Sequence, residues 1–101
     1  MNGSNEQETV RRRIIALLEE RHATSLDISQ SVRISEKEVY EHLVHVGKSV
    51  ASRGEKLLIH PAECMKCGFV FEGRKRFRPP GRCPACKSTH LRKPAYEIVR
   101  R

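Results

Sequence analysis

The four cysteines constrain this chain more than any other feature. Cys64 and Cys67 enclose two residues, Cys83 and Cys86 enclose two more, and fifteen residues separate the pairs. Two residues between thiols let a tight turn aim both sulfurs at one point. Two such turns complete the tetrahedron that zinc accepts at about 2.3 Å per sulfur. Gly68 lets the first knuckle turn back on itself, and Pro84 stiffens the second. Four thiolates leave no open coordination position, so the expected role is one structural zinc ion rather than a catalytic one. Two other readings stay open at this stage: a single iron for electron transfer and redox-switched disulfides. The scarcity of aromatic residues, Phe69, Phe71, Phe77, Tyr40 and Tyr96 alone, argues against iron. His60 and His90 stand four residues outside the cysteine pairs, and a complete thiolate set assigns them surface or supporting positions.

Between the knuckles, Phe69-Val70-Phe71 reads as a strand, and the segment after it as a turn opening a return strand toward Phe77. The pattern predicts a zinc ribbon over residues 61–93 whose few apolar side chains are Phe69, Phe71 and Phe77. A unit so poor in core depends on its metal for folding, by on the order of 10 kcal/mol. Phe77 is read as ribbon core in preference to a base-stacking ring.

Charge is concentrated in the same half of the chain. Eight basic and eight acidic residues cancel over 1–53, whereas twelve basic against four acidic residues over 54–101 account for the whole net charge of +8. Four thiolates on a divalent ion lower that half to about +6. A polyanionic partner is the expected consequence, most often nucleic acid. The cations expected to hold phosphates are Arg74, Lys75, Arg76, Arg78 and Arg82.

The preceding half is helical in pattern. Val10, Ile14, Leu17 and Leu18 share a face and predict a first helix ending near His22, behind a disordered N-terminus over 1–7. Thr24 or Ser25 offers the cap of a short second helix carrying Leu26, Ile28 and Val32. In "ISEKEVYEHLVHV", Ser35 and Glu38 form the signature of a capping box, and Val39, Leu43, Val46 and Val50 make the buried stripe of a third helix. Gly54 and "KLLIHP" then supply a strand, and the expected pairing sets Leu57-Leu58-Ile59 against Tyr96-Glu97-Ile98, with the ribbon between them. The fold class is therefore α+β, with modules over 8–60, 61–93 and 94–100.

Residues 27–43, "DISQSVRISEKEVYEHL", resemble the helix-turn-helix core of winged-helix regulators: Ile28 and Val32 are apolar, Ser29 is small, Ile34 is the turn hydrophobe, and Arg33 stands where glycine is usual. Over residues 8–100 the chain resembles the archaeal-type family of predicted transcriptional regulators that fuse a helix-turn-helix domain to a zinc ribbon. That resemblance implies a three-helix winged helix-turn-helix with the four-cysteine ribbon inserted at the wing, and DNA binding as its function. The third helix would then present Lys37, Tyr40, Glu41, His45 and Lys48 to the duplex. The alternative is a protein-interaction or RNA-binding ribbon module of the transcription or translation machinery. Catalysis is not expected, because no thiol is left as nucleophile and no triad, carboxylate pair or phosphate loop has useful spacing. No apolar run approaches a membrane span and the N-terminus lacks the pattern of a signal peptide, so a cytoplasmic location is expected.

Overall fold

The computed structural model describes residues 3–73 and 76–100. Helix α1 covers Gly3–Glu20, strand β1 Ala23–Thr24, helix α2 Ser25–Val32 and helix α3 Glu36–Ala51. Strands β2 (Glu55–His60), β3 (Glu63–Cys64), β4 (Leu91–Arg92) and β5 (Ala95–Arg100) follow. The first helix thus starts at Gly3, where disorder through residue 7 was expected. No proline interrupts that segment, and Glu6 lies in its first turn, where a carboxylate complements the helix dipole.

Local chemistry fixes the start of α2. Thr24 caps it in extended conformation, its side chain accepting from the Asp27 amide at 3.1 Å, and the Asp27 carboxylate accepts in turn from the Thr24 amide at 3.1 Å. Only three residues then separate α2 from α3. Arg33 turns the chain in the left-handed region at φ 59°, a conformation costing a side-chain-bearing residue about 1–2 kcal/mol. The Ile34 amide closes the turn on the Ser29 carbonyl at 3.1 Å, and the Ser29 hydroxyl donates to the Ile34 carbonyl. Ser35 caps α3, accepting from the Glu38 amide at 3.2 Å. The Glu38 carboxylate accepts from the Ser35 hydroxyl at 3.1 Å, in place of the backbone bond that a capping box anticipates.

The periodicity of α3 translates into burial: Val39, Leu43, Val46 and Val50 are fully inaccessible. They meet Ile14 and Leu18 of α1, Ile28 and Val32 of α2, and Tyr96 and Ile98 of β5 in one core. Full burial of each such side chain contributes about 1.5–3 kcal/mol, which makes this cluster the main stabilising element.

A three-stranded antiparallel sheet in the order β1-β5-β2 covers the helices. Leu57 faces Ile98, Leu58 faces Glu97 and Ile59 faces Tyr96, the register expected from the alternation of the two segments. Strand β1, pairing Ala23 with Tyr96, gave no sequence signal because two residues show no periodicity. Residues 61–94 are inserted between β2 and β5. Within the insertion β3 pairs with β4, Glu63 facing Arg92 and Cys64 facing Leu91.

The expected strand Phe69–Phe71 is reduced to one bridge, Glu63 to Val70, with the Cys64 amide donating to the Phe69 carbonyl at 2.8 Å and the Phe71 amide to the Ala62 carbonyl at 3.0 Å. No return strand forms at Phe77. Pro79 and Pro80 lack the amide hydrogens a ladder needs, and Phe77 leaves the ribbon altogether to pack against Tyr96 of the main core. Its expected place in a ribbon core is therefore corrected.

Candidate metal centre

Two hydrogen-bonded turns build the centre. In the first, the Gly68 amide donates to the Cys64 carbonyl at 2.9 Å and the Cys67 amide points at the Cys64 sulfur at 3.5 Å. Gly68 closes this turn at φ 81°, the left-handed region where a missing Cβ is an advantage. In the second, the Lys87 amide donates to the Cys83 carbonyl at 2.9 Å, and Lys87 occupies the corresponding position at φ 65°. The sequence anticipated the role of Gly68 and missed that of Lys87, for which a lysine carries no signal.

The turns bring the sulfurs together across the ribbon: Cys64 Sγ lies 3.5 Å from Cys86 Sγ, and Cys67 Sγ lies 3.6 Å from Cys83 Sγ. All four sulfurs fall within 4.8 Å of one another. A zinc tetrahedron with bonds of about 2.3 Å has sulfur–sulfur edges of about 3.8 Å, so the donor set fits a tetrathiolate ion. Cys64 and Cys83 are buried, whereas Cys67 is exposed. Crowding also splits the acidities of the thiols. The Cys67 amide, followed by the Lys66 amide and the neighbouring thiols, lowers Cys64 to about 6 against the effect of burial. Cys67 accepts from the Phe69 amide, yet desolvation of its sulfur and the three other thiols push it up to about 12. Cys83 is lowered, although burial opposes it, by the Cys86 and Ala85 amides and by its sulfur neighbours. Four thiolates cannot coexist here without a compensating charge, and a divalent cation supplies one.

The ribbon is fastened to the helical body by side chains. Lys93 Nζ lies 3.5 Å from Glu36 Oε2, and the Arg78 guanidinium sits 5.3 Å above the Tyr40 ring. Beneath them the buried Ser25 hydroxyl donates to Glu36 Oε2 at 2.8 Å and shares a 2.9 Å hydrogen bond with the Tyr40 hydroxyl. Phe77 meets Tyr96 edge-on, and the Tyr96 hydroxyl donates to the Phe77 carbonyl. Sequence reasoning missed this seam, since each member pairs with a residue remote along the chain.

The expected nucleic-acid residues divide accordingly. Lys37, Glu41, His45 and Lys48 are exposed on α3, while Tyr40 is half-buried under Arg78. Arg76, Arg78 and Arg82 are exposed, and Arg74 and Lys75 lie outside the described residues. His60 forms a 2.8 Å bond with Glu97 Oε1 at the start of the insertion. One further polar contact was unforeseen: Arg11 Nε donates to His42 Nδ1 at 3.2 Å on the buried side of α3. Among the described residues no helix is long and apolar enough to cross a membrane.

Fold and centre together define a small α+β protein in which a four-cysteine zinc ribbon interrupts the sheet beside a three-helix domain. The chain belongs to the PF0610-like family: residues 9–58 match the PF0610-like N-terminal domain and residues 61–101 the PF0610 rubredoxin-like zinc beta-ribbon domain. Among solved structures it is similar to protein PF0610 from Pyrococcus furiosus, determined in solution by NMR, with 35% identity and a TM-score of 0.77 over 93% of this chain and 91% of that one. No curated protein matches. The family and the sulfur geometry agree on one structural zinc ion.

Proposed function

We propose that this protein is a non-enzymatic, DNA-binding transcriptional regulator, a winged helix-turn-helix whose wing loop is replaced by the zinc ribbon. Helices α2 and α3 supply the helix-turn-helix, and β2 and β5 supply the two wing strands. The observation that carries the reading is the seam between ribbon and α3. Arg78 at Tyr40 and Lys93 at Glu36 bring the cationic module against the helix that would enter the major groove. The acidity of α3 is also partly accounted for: Lys93 compensates Glu36, and Glu38 accepts from Ser35, which leaves Glu41 beside Lys37, His45 and Lys48.

A salt titration of the zinc-loaded protein on duplex DNA tests this reading. Several phosphate contacts predict an affinity loss on the order of a hundredfold between about 50 and 200 mM salt. Absence of duplex binding at low salt removes the proposal, as does unchanged binding after Lys37→Glu and Arg76→Glu together. A second reading, an RNA-associated or protein-docking module of the transcription or translation machinery, draws on the same seam. Glu36 and Tyr40, which lie on the base-reading end of a helix-turn-helix, are held here by the ribbon. Preference for structured RNA over duplex DNA, or a stoichiometric complex with purified polymerase or ribosome, selects it.

A further inference from the structure

The ribbon carries apolar surface that neither the zinc knuckles nor the helical body covers. Phe69 and Val70 are 38% and 40% exposed. Phe69 meets Phe71 edge to face, with centroids 5.1 Å apart and planes at 82°. Phe69, Phe71, Pro80, Gly81 and Arg82 line an open cleft of about 570 Å³. The wall holds one carboxylate, Glu72, and one guanidinium, Arg82. Along the chain, residues 66–87 contain seven cations against that single acid.

These features select an occupant. An exposed ring offers a flat π-face, and the cationic excess of this segment of the sequence favours a polyanion. The ligand chemistry that combines planar π-systems with regularly spaced negative charge is a nucleic-acid strand. A duplex hides its base faces in its own stack, so only an unpaired strand can present them. Phe77 is not available for stacking, because its ring packs against Tyr96.

We infer that the Phe69 cleft is a binding platform for single-stranded nucleic acid, with a base stacked on Phe69 and a neighbouring phosphate held by Arg82. The site shares Arg82 with the cations expected to hold duplex phosphates but uses neither α3 nor the Arg78 and Lys93 seam, so its stacking ring, Phe69, tests it apart from the duplex-binding reading.

The test is fluorescence anisotropy on the full zinc-loaded chain, with labelled oligothymidylate and oligouridylate of about fifteen nucleotides, an abasic deoxyribose-phosphate strand of equal length, and a duplex. The two base-bearing strands are expected to bind more tightly than the abasic one, and their ratio distinguishes DNA from RNA as the source of the strand. Phe69→Ala is expected to weaken oligothymidylate binding about tenfold, leaving duplex binding unchanged, and Phe69→Trp to retain it. Zinc content of one ion per chain and an unchanged circular dichroism spectrum check that each variant is folded. Should Phe69→Ala lose zinc, Phe69→Leu takes its place, keeping the contact with Phe71 while removing the planar face. Equal affinity for the abasic strand, or no effect of Phe69→Ala and Phe69→Leu, overturns the assignment. Displacement of the oligonucleotide by polyglutamate at equal charge also overturns it, in favour of an acidic protein segment.

Discussion

Phe77 reaches out of the ribbon to meet Tyr96 on β5, ring to ring at 6.0 Å and 65°, and its carbonyl receives the Tyr96 hydroxyl. Tyr96 is fully buried in the core of the helical body. The zinc-bearing insertion and the main core thus share one anchor, and the two cannot be displaced relative to each other without exposing it.

That anchor can be weighed by mutation. Tyr96→Phe deletes one hydrogen bond and is expected to lower unfolding free energy by about 1 kcal/mol. Phe77→Ala keeps the accepting carbonyl but removes the half-buried ring, and is expected to cost roughly 2 kcal/mol. Urea unfolding of the zinc-loaded protein measures both, and equal stability of Phe77→Ala and the wild type would show that the ribbon is held elsewhere.

The polar part of the seam divides unevenly. Ser25→Ala strips the Glu36 carboxylate and the Tyr40 hydroxyl of a shared, buried partner, at an expected cost of about 1–2 kcal/mol. Lys93→Ala breaks an ion pair 3.5 Å long whose side chains are 45% and 35% exposed, and solvent screening limits its cost to about 0–1 kcal/mol. The reverse order in a denaturation series would contradict the assigned roles.

His42 predicts a pH dependence. Burial first, and then the Arg11 cation, hold its imidazole below the ordinary value of 6.5, with Glu38 and Glu41 opposing and His45 adding to the effect. Its Nδ1 accepts from Arg11, so the folded state favours the neutral ring. The unfolded chain takes up the proton first as pH falls. The contribution of His42 is therefore fully present above about pH 6.5 and is lost progressively below it. His42→Asn keeps an acceptor for Arg11 but does not titrate, and is expected to flatten stability between about pH 7.5 and 5.5. A slope identical to that of the wild type would assign the dependence to another group.

Metal removal should be selective. The ribbon sheet has only two residues in each strand, while among the described residues the main core contains eleven buried side chains. Chelation is expected to abolish hydrogen-exchange protection at the Cys83 and Lys87 amides and to leave it at the core of α3, with thermal stability reduced. Loss of both regions in a single step would show that the ion stabilises the whole molecule.

Features carried by spacing were the legible ones. The cysteine pairs, the Val39, Leu43, Val46 and Val50 stripe, and the alternation that sets Leu57 against Ile98 all follow from local periods of the chain. Phe77 was misplaced because aromatic content within a module does not reveal which core a ring will join. His42 lies one position before Leu43 on the edge of the buried stripe, and that placement was the available signal for its burial. Ser25 gave none, since its burial exists only once Glu36 and Tyr40, one helical turn apart on α3, close over it.

The last rung of the sheet joins His60 to Ala95, and the whole insertion leaves and re-enters the body there. Its two ends are cross-strand neighbours about 5 Å apart. A short hairpin turn spans the same gap, so a tight β-turn grafted in place of residues 61–94 would close the sheet in its present register. The helical body could in this way be studied as a metal-free miniature, and the ribbon exchanged between relatives like a cartridge.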